Sequence, residues 1–276
     1  MKKKLMALSV ASMVGISGLV GGTYAFFNDT EASANNSFTA GTLNIESFRD
    51  DIPIEGPMFY TNDSLDGAMG TGLWKPGDSH TRGIYFENTG SIAGKLTKLS
   101  ANPEAPVGSA AFQDAMEFAD QSTVVISMYE NRGGSVDATA WSLVLKNTDE
   151  LMKNEYDSWL NRYRAERNGM TLSELKLDDM RFLAYVRETL LEQVFVTKNA
   201  VGQNVYFDVK QVYADSLKNL VNPGHDVAGE FQKSIEPFET MYMGYTVTLQ
   251  DLTPEKNNLV QGKEVKFGFA HEFKQK

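Results

Sequence analysis

The apolar and polar residues of this chain change period along its length, from two to a helical spacing and back to two. From Phe38 the pattern is strand-like. Phe38–Glu46 predicts a short strand, apolar at Phe38, Ala40, Leu43 and Ile45, with Gly41 marking a bend or bulge. Residues 50–80 are rich in Asp, Gly, Pro and Asn and predict loop; within them Trp74-Lys75-Pro76-Gly77-Asp78 has the chemistry of a tight turn. Gly83–Asn88 alternates around Ile84 and Phe86. Asn88-Thr89-Gly90-Ser91 turns the chain, and Ala93–Ser100 is the expected partner strand. Ser109–Ala119 predicts a short helix with Phe112, Ala115, Met116 and Ala119 on one face. Thr123–Tyr129 is a run of β-formers stopped by Asn131-Arg132-Gly133-Gly134, and Trp141–Leu145 predicts a further strand.

Helical spacing then takes over. Met152, Tyr156, Trp159, Leu160 and Tyr163 fall on one face of a helix beginning near Asp149 and stopped at Gly169. Thr171-Leu172-Ser173-Glu174 matches a capping box, and Met180, Leu183, Ala184, Leu190, Leu191 and Val194 continue a second helix. Residues 149–196 therefore predict an α-helical hairpin inserted into a β protein. Period two returns at the end. Met241, Met243, Tyr245, Val247 and Leu249 share one face, and Val265, Phe267, Phe269 and Phe273 share another. They predict an antiparallel pair joined by the polar loop 251–262, and the fold class is mainly β, an antiparallel β-sandwich carrying the helical hairpin.

Ahead of all this, Lys2–Lys4 precede an uncharged Leu/Val/Ala/Met run over residues 5–20. Thr23 and Ala25 are small residues at the minus-three and minus-one positions of a signal-peptidase cut. A run of 16 residues is short against the roughly 20 that span a bilayer. Residues 1–25 are thus expected to be a cleaved signal peptide, with the cut between Ala25 and Phe26 and the protein secreted. Cleavage removes three lysines and no acids from 26 basic and 36 acidic residues, leaving 23 basic and a formal charge of −13 over 251 residues. Nucleic acid and anionic membrane surfaces call for a basic patch, so neither is an expected partner. There is no cysteine. An exported chain of this size must then hold together by core burial, and thiol catalysis, Cys-based zinc and iron–sulfur sites are excluded.

The search for an active site returns little, and no catalytic, cofactor-binding or metal residue is assigned. His80, His225 and His271 are scattered. His271-Glu272-Phe273-Lys274-Gln275 has the first half of a zinc-protease helix motif without its second histidine, and period two puts it on a strand, with His271 at a partly buried rim. No Gly-x-Ser-x-Gly elbow occurs. Gly67–Gly72 lacks the flanking strand and helix of a phosphate loop, and Asp50-Asp51 and Asp178-Asp179 lack the ligand spacing of a calcium loop.

Three blocks resemble the TasA/camelysin family of secreted bacterial proteins. They are Gly21–Asp29 followed by Phe38–Leu43, Lys75–Asp78 followed by Phe86–Ser91, and the closing segments Tyr245–Gln250 and Val265–Phe273. The helical stretch 149–196 departs from the family pattern. The resemblance implies a jelly-roll sandwich, export with a dedicated signal peptidase, and assembly into extracellular biofilm-matrix fibres as a homopolymer, with accessory matrix proteins as further partners. In such fibres the N-terminal segment of one subunit adds as a strand to the next. Here that donor segment would be Phe26, Phe27, Asn28, Asp29, Thr30, Glu31, Ala32, Ser33, Ala34, Asn35 and Asn36, ahead of a sandwich over residues 37–276. Its residues alone fit either a disordered N-terminus or a strand for an open edge. The resemblance also admits an accessory or cell-surface binding protein, and a camelysin-type metalloprotease.

Overall fold

The computed structural model describes residues 24–25, 41–49, 58–60, 74–166, 180–221, 225–226 and 234–276. Its elements run β1 Tyr24–Ala25, β2 Ile45–Arg49, β3 Phe59–Tyr60, β4 Ser79–Asn88, β5 Gly94–Pro103, α1 Ala110–Asp120 and β6 Ser122–Gly133. There follow α2 Ala138–Glu166, α3 Met180–Leu191, β7 Val194–Lys198, β8 Asn204–Ser216 and α4 Leu217–Val221. The chain closes with β9 His225–Asp226, β10 Ser234–Ile235, β11 Thr240–Leu249, α5 Pro254–Val260 and β12 Lys266–Gln275. Of the features read from sequence, residues 26–36, the capping box at 171–174, Gly67–Gly72, Asp50-Asp51 and Asp178-Asp179 lie outside the described residues.

Two sheets face each other. One has the order β2-β4-β11-β6-β8-β7; the other is built on β12 and β5, with β10 and β9 on β5 and β3 and β1 on β12. Every pairing is antiparallel except that of β1 with β12. The inner core between the sheets takes Ile84 and Phe86 from β4, Ile126 and Met128 from β6, and Met243, Tyr245 and Val247 from β11. Leu96 and Leu99 of β5 and Phe267, Phe269 and Phe273 of β12 face them. A mainly antiparallel β-sandwich is thus what the strand periodicity predicted.

A second core lies on the outer face of the larger sheet, where Trp141, Val144, Leu145 and Met152 of α2 and Leu183, Val186 and Leu190 of α3 cover Tyr129, Phe195, Val205 and Phe207. Strands at the middle of this sheet are consequently buried on both faces: β6 is buried continuously from Ser122 to Tyr129. Two-sided burial of this kind erases strict alternation from a sequence. Helix α2 seats closely because two glycines face each other on the ladder, Gly83 of β4 opposite Gly244 of β11. A Cβ at Gly83 would come within 2.4 Å of Leu145 and 2.8 Å of Trp141.

The turns follow their local chemistry. Gly77 sits at φ +94°, the Lys75 N–H donates to Asp78 Oδ2 at 2.6 Å, and the Gly77 N–H donates to the Leu249 carbonyl at 2.7 Å. Asn88 organises the next turn: its Oδ1 accepts from the Gly90 N–H, and its Nδ2 donates to the Ile92 and Ile235 carbonyls. Ser109 caps α1, accepting from the Phe112 N–H at 3.1 Å.

Several expectations change. Trp141–Leu145 is helix, not strand. Asp137 starts α2 there, with its Oδ1 accepting from Ala140 at 2.9 Å and its carbonyl from Trp141 at 3.0 Å. Trp141, Val144, Leu145 and Met152 keep one helical face that a five-residue window cannot reveal. The helical layer therefore begins at Ala138, and the end of the expected hairpin is strand β7. Residues 41–44 are irregular and the strand starts at Ile45; Gly90 is packed so closely that a Cβ there would sit 2.2 Å from the Thr42 carbonyl. The polar loop 251–262 contains α5, capped by Thr253 with Pro254 in its first turn. Most consequentially, β11 and β12 are not paired. They lie in different sheets and present their apolar faces to each other across the core, α5 lying in the connection between them. Two apolar strand faces can share one side of a sheet under a common cover or meet each other across the core, so periodicity cannot choose. The strand β8, at 13 residues, was not expected.

Candidate functional site

His271 is carried deep into the core, 2% exposed rather than at a rim. It sits on β12 with its ring against Phe86, and its Nε2 is hydrogen-bonded to the Tyr245 hydroxyl of β11. Burial pushes the imidazole down to about 3 and raises the Tyr245 phenol well above its ordinary value. The pair is therefore neutral, a polar tie between the sheets surrounded by aromatic rings. His80, on β4, lies tilted against Trp74 with ring centroids 4.5 Å apart, and burial lowers its pKa although Asp149 nearby opposes that shift. His225 falls on β9. Among the described residues, no three His, Cys, Asp or Glu side chains gather into a metal-binding group.

The features that stand out are sheet edges. Along β12, the Lys266 carbonyl accepts from Glu104 on the β5 side, while the Phe267 carbonyl accepts from Met58 on the other. Antiparallel alternation then turns the backbone groups of Phe267, Phe269 and His271 away from β5. On that outer side β3 meets β12 only at Lys266 and Phe267, and β1 only at Glu272 and Phe273. Between them, Gly268 to His271, paired with β5 on the inner side, have no strand partner on this outer side among the described residues. The β1 residues are Tyr24 and Ala25, the last two before the expected cut, so the structure brings the end of the expected signal peptide onto this edge. Phe26, the other side of the cut, and the rest of the donor segment lie outside the described residues.

The second edge is β7, which among the described residues pairs only with β8. The Asn199 N–H donates to the Gln203 carbonyl and the Gln193 carbonyl accepts from Val209, so the odd-numbered residues face β8. Val194, Val196 and Lys198 therefore point their backbone groups outward. Val194 and Val196 are also 48% and 52% exposed, and Tyr206, paired with Val196, is 37% exposed. Beside this edge runs a groove of 360 Å³ whose lining includes Leu143 and Asn147 of α2 and Val196, Thr197 and Lys198. The sequence pattern assigns residues 194–196 to the end of the helical hairpin expected over 149–196. The signal available was the alternation Val194, Phe195, Val196, Thr197, which is β-branched and aromatic throughout.

Comparison with known proteins brings two matches. Residues 1–55 match a family described as Camelysin metallo-endopeptidase. The chain is also similar to the "Major biofilm matrix component" of Bacillus subtilis (strain 168), with 30% identity over 102 residues. That alignment covers 37% of this chain and 33% of the relative, so the chain matches about a third of the relative's length. The two matches agree with the resemblance to the TasA/camelysin family, each over part of the chain.

Proposed function

We propose that this protein is a secreted structural subunit of extracellular biofilm-matrix fibres, polymerising head-to-tail by N-terminal strand donation. On this reading residues 1–25 are a signal peptide, and cleavage after Ala25 frees Phe26. Residues 26–36 then add as a strand to a neighbouring copy, whose sandwich spans residues 37–276. Its partners are other copies of itself, the signal peptidase during export, and accessory matrix proteins.

The observation that carries this reading is the outer edge of β12. Its backbone groups at Phe269 and His271 face outward with no described partner, and beside them lie the two residues the cut would remove. Losing Tyr24 and Ala25 would extend the open stretch to Phe273. A strand docking there gains a main-chain ladder, and its side chains meet the aromatic inner core at Phe269 and Phe273. Donation to the next copy never closes on itself, so it propagates a filament. The similarity to a biofilm matrix component supports the same reading.

The test compares purified residues 26–276 with a chain beginning at Ser37. The first is expected to form filaments by electron microscopy; the second forms none, with unchanged far-ultraviolet circular dichroism. Filaments from the shorter chain would end the case for residues 26–36 as the donor. Because the matching family carries a metallo-endopeptidase description, the same preparations should be assayed for proteolysis. Chelator-sensitive cleavage by the pure protein would turn the reading towards an enzyme.

A further inference from the structure

We infer that the β7 edge is a second, lateral self-association surface, on which two copies pair their β7 strands antiparallel about Phe195. The surface is independent of the N-terminal segment and of the β12 edge, so it would link subunits side by side rather than end to end.

Three observations converge on a second copy as the occupant. The first is backbone geometry. Only Val194, Val196 and Lys198 of β7 turn their N–H and C=O groups outward, so a pairing strand must bring its own outward groups opposite them. Centring the two-fold on Phe195 does this, placing Val194 against Val196 of the second copy and Val196 against its Val194. The second is charge. The same register sets exposed Glu192 opposite exposed Lys198 of the second copy, twice over. Within one chain these residues lie at opposite ends of the strand, about 20 Å apart, too far to pair. The third is an unmet polar group. Thr197 is 5% exposed, yet its buried hydroxyl has no hydrogen-bond partner among the described residues, and it lines the groove beside the edge. A buried hydroxyl left unpaired is costly. The register brings Gln193 of the second copy opposite Thr197; its Nε2 donates to the Thr189 carbonyl of its own chain, and its Oε1 would accept from the hydroxyl.

The exposed face gains as well. Tyr206 lies beside Val196 on its own ladder, so pairing continues that row into Val194 of the second copy. Half-exposed valines on an edge strand with no outer partner among the described residues become the middle of a continuous sheet, and the edge no longer invites arbitrary strand addition.

The test uses the absence of native cysteine. Full-length Val194→Cys and Val196→Cys variants are prepared separately, then oxidised alone and as an equal mixture, and read on a non-reducing gel. Directly opposed residues of a hydrogen-bonded pair lie about 5.5 Å apart at Cα, within disulfide reach, whereas diagonal neighbours at about 7–8 Å are not. The mixture is expected to give several-fold more covalent dimer than either variant alone. No dimer in the mixture, or equal dimer in all three samples, overturns the pairing; the first result would leave the edge to an extended segment of another protein. A charge exchange provides the second measurement. Lys198→Glu should weaken association in sedimentation, and adding Glu192→Lys should restore it. Failure of the double variant to recover also overturns the register. Filaments are scored separately by microscopy, so loss of strand donation and loss of this contact are distinguishable.

Discussion

His271 shows how a single side chain in this core sets a pH dependence. Its folded pKa is held near 3 by burial, against an ordinary value of 6.5. The unfolded chain therefore binds a proton that the folded chain refuses. Stability is full above about pH 6.5 and falls as pH drops towards 3, by about 1.4 kcal/mol per pH unit for this one group. His271→Gln keeps a polar partner for the Tyr245 hydroxyl and removes the titration. Urea unfolding at intervals between pH 7 and 4 should give a flatter pH profile for the variant than for the natural chain. Parallel profiles would show that His271 does not govern the acid limb. His271 was legible in the sequence as a strand residue between Phe269 and Phe273, but its depth was not. Depth is fixed by β11 and by Phe86 of β4, which arrive from far along the chain.

At the scale of elements, α2 fits closely onto the larger sheet. Tyr129 reaches up from β6 to hydrogen-bond Thr148 of α2 at 2.8 Å, and Thr148 in turn donates to the Val144 carbonyl. Burial pushes the Tyr129 phenol up to about 12, so the tie stays neutral throughout the ordinary pH range. The opposed Gly83 and Gly244 leave the space into which Trp141 and Leu145 pack. Gly83→Val favours the strand locally but overfills this contact. It should destabilise the protein by roughly 1–3 kcal/mol, read as a lower urea midpoint with unchanged slope. An unchanged midpoint would mean that α2 lifts away without loss. Elements with local punctuation were readable in advance: α1 begins at its Ser109 cap, and β4 ends at the Asn88 turn. Those whose character depends on what covers them were not. Trp141–Leu145 is one case and β7 is another, each apolar enough to fit either period over five residues.

For the whole molecule, charge bears most directly on assembly. The full chain carries a formal charge of −10, and removal of the three leading lysines makes it −13. Subunits of one strong sign repel at long range, and that repulsion is screened within about 10 Å at 0.1 M salt. Assembly of residues 26–276, followed by light scattering, should therefore accelerate as sodium chloride rises from low to physiological concentration. The ladder of main-chain bonds proposed at β12 carries no net charge and is less sensitive to salt. A rate that fell with salt would point instead to assembly through complementary charged patches.

The sequence alone determined what depends on neighbours in the chain. The tight turns at residues 74–78 and 88–91, the first helix, the strand character of β4, β5, β6, β11 and β12, and the family resemblance all rest on local composition and spacing. Tertiary structure alone decided which strands share a sheet. It set β11 and β12 face to face, buried His271 between them, made the start of α2 a helix, and left β12 and β7 with outward backbone groups. The physical reason is that hydrophobic burial is non-directional. An apolar face states that it must be covered, and only the packed chain settles what covers it and which edges remain open.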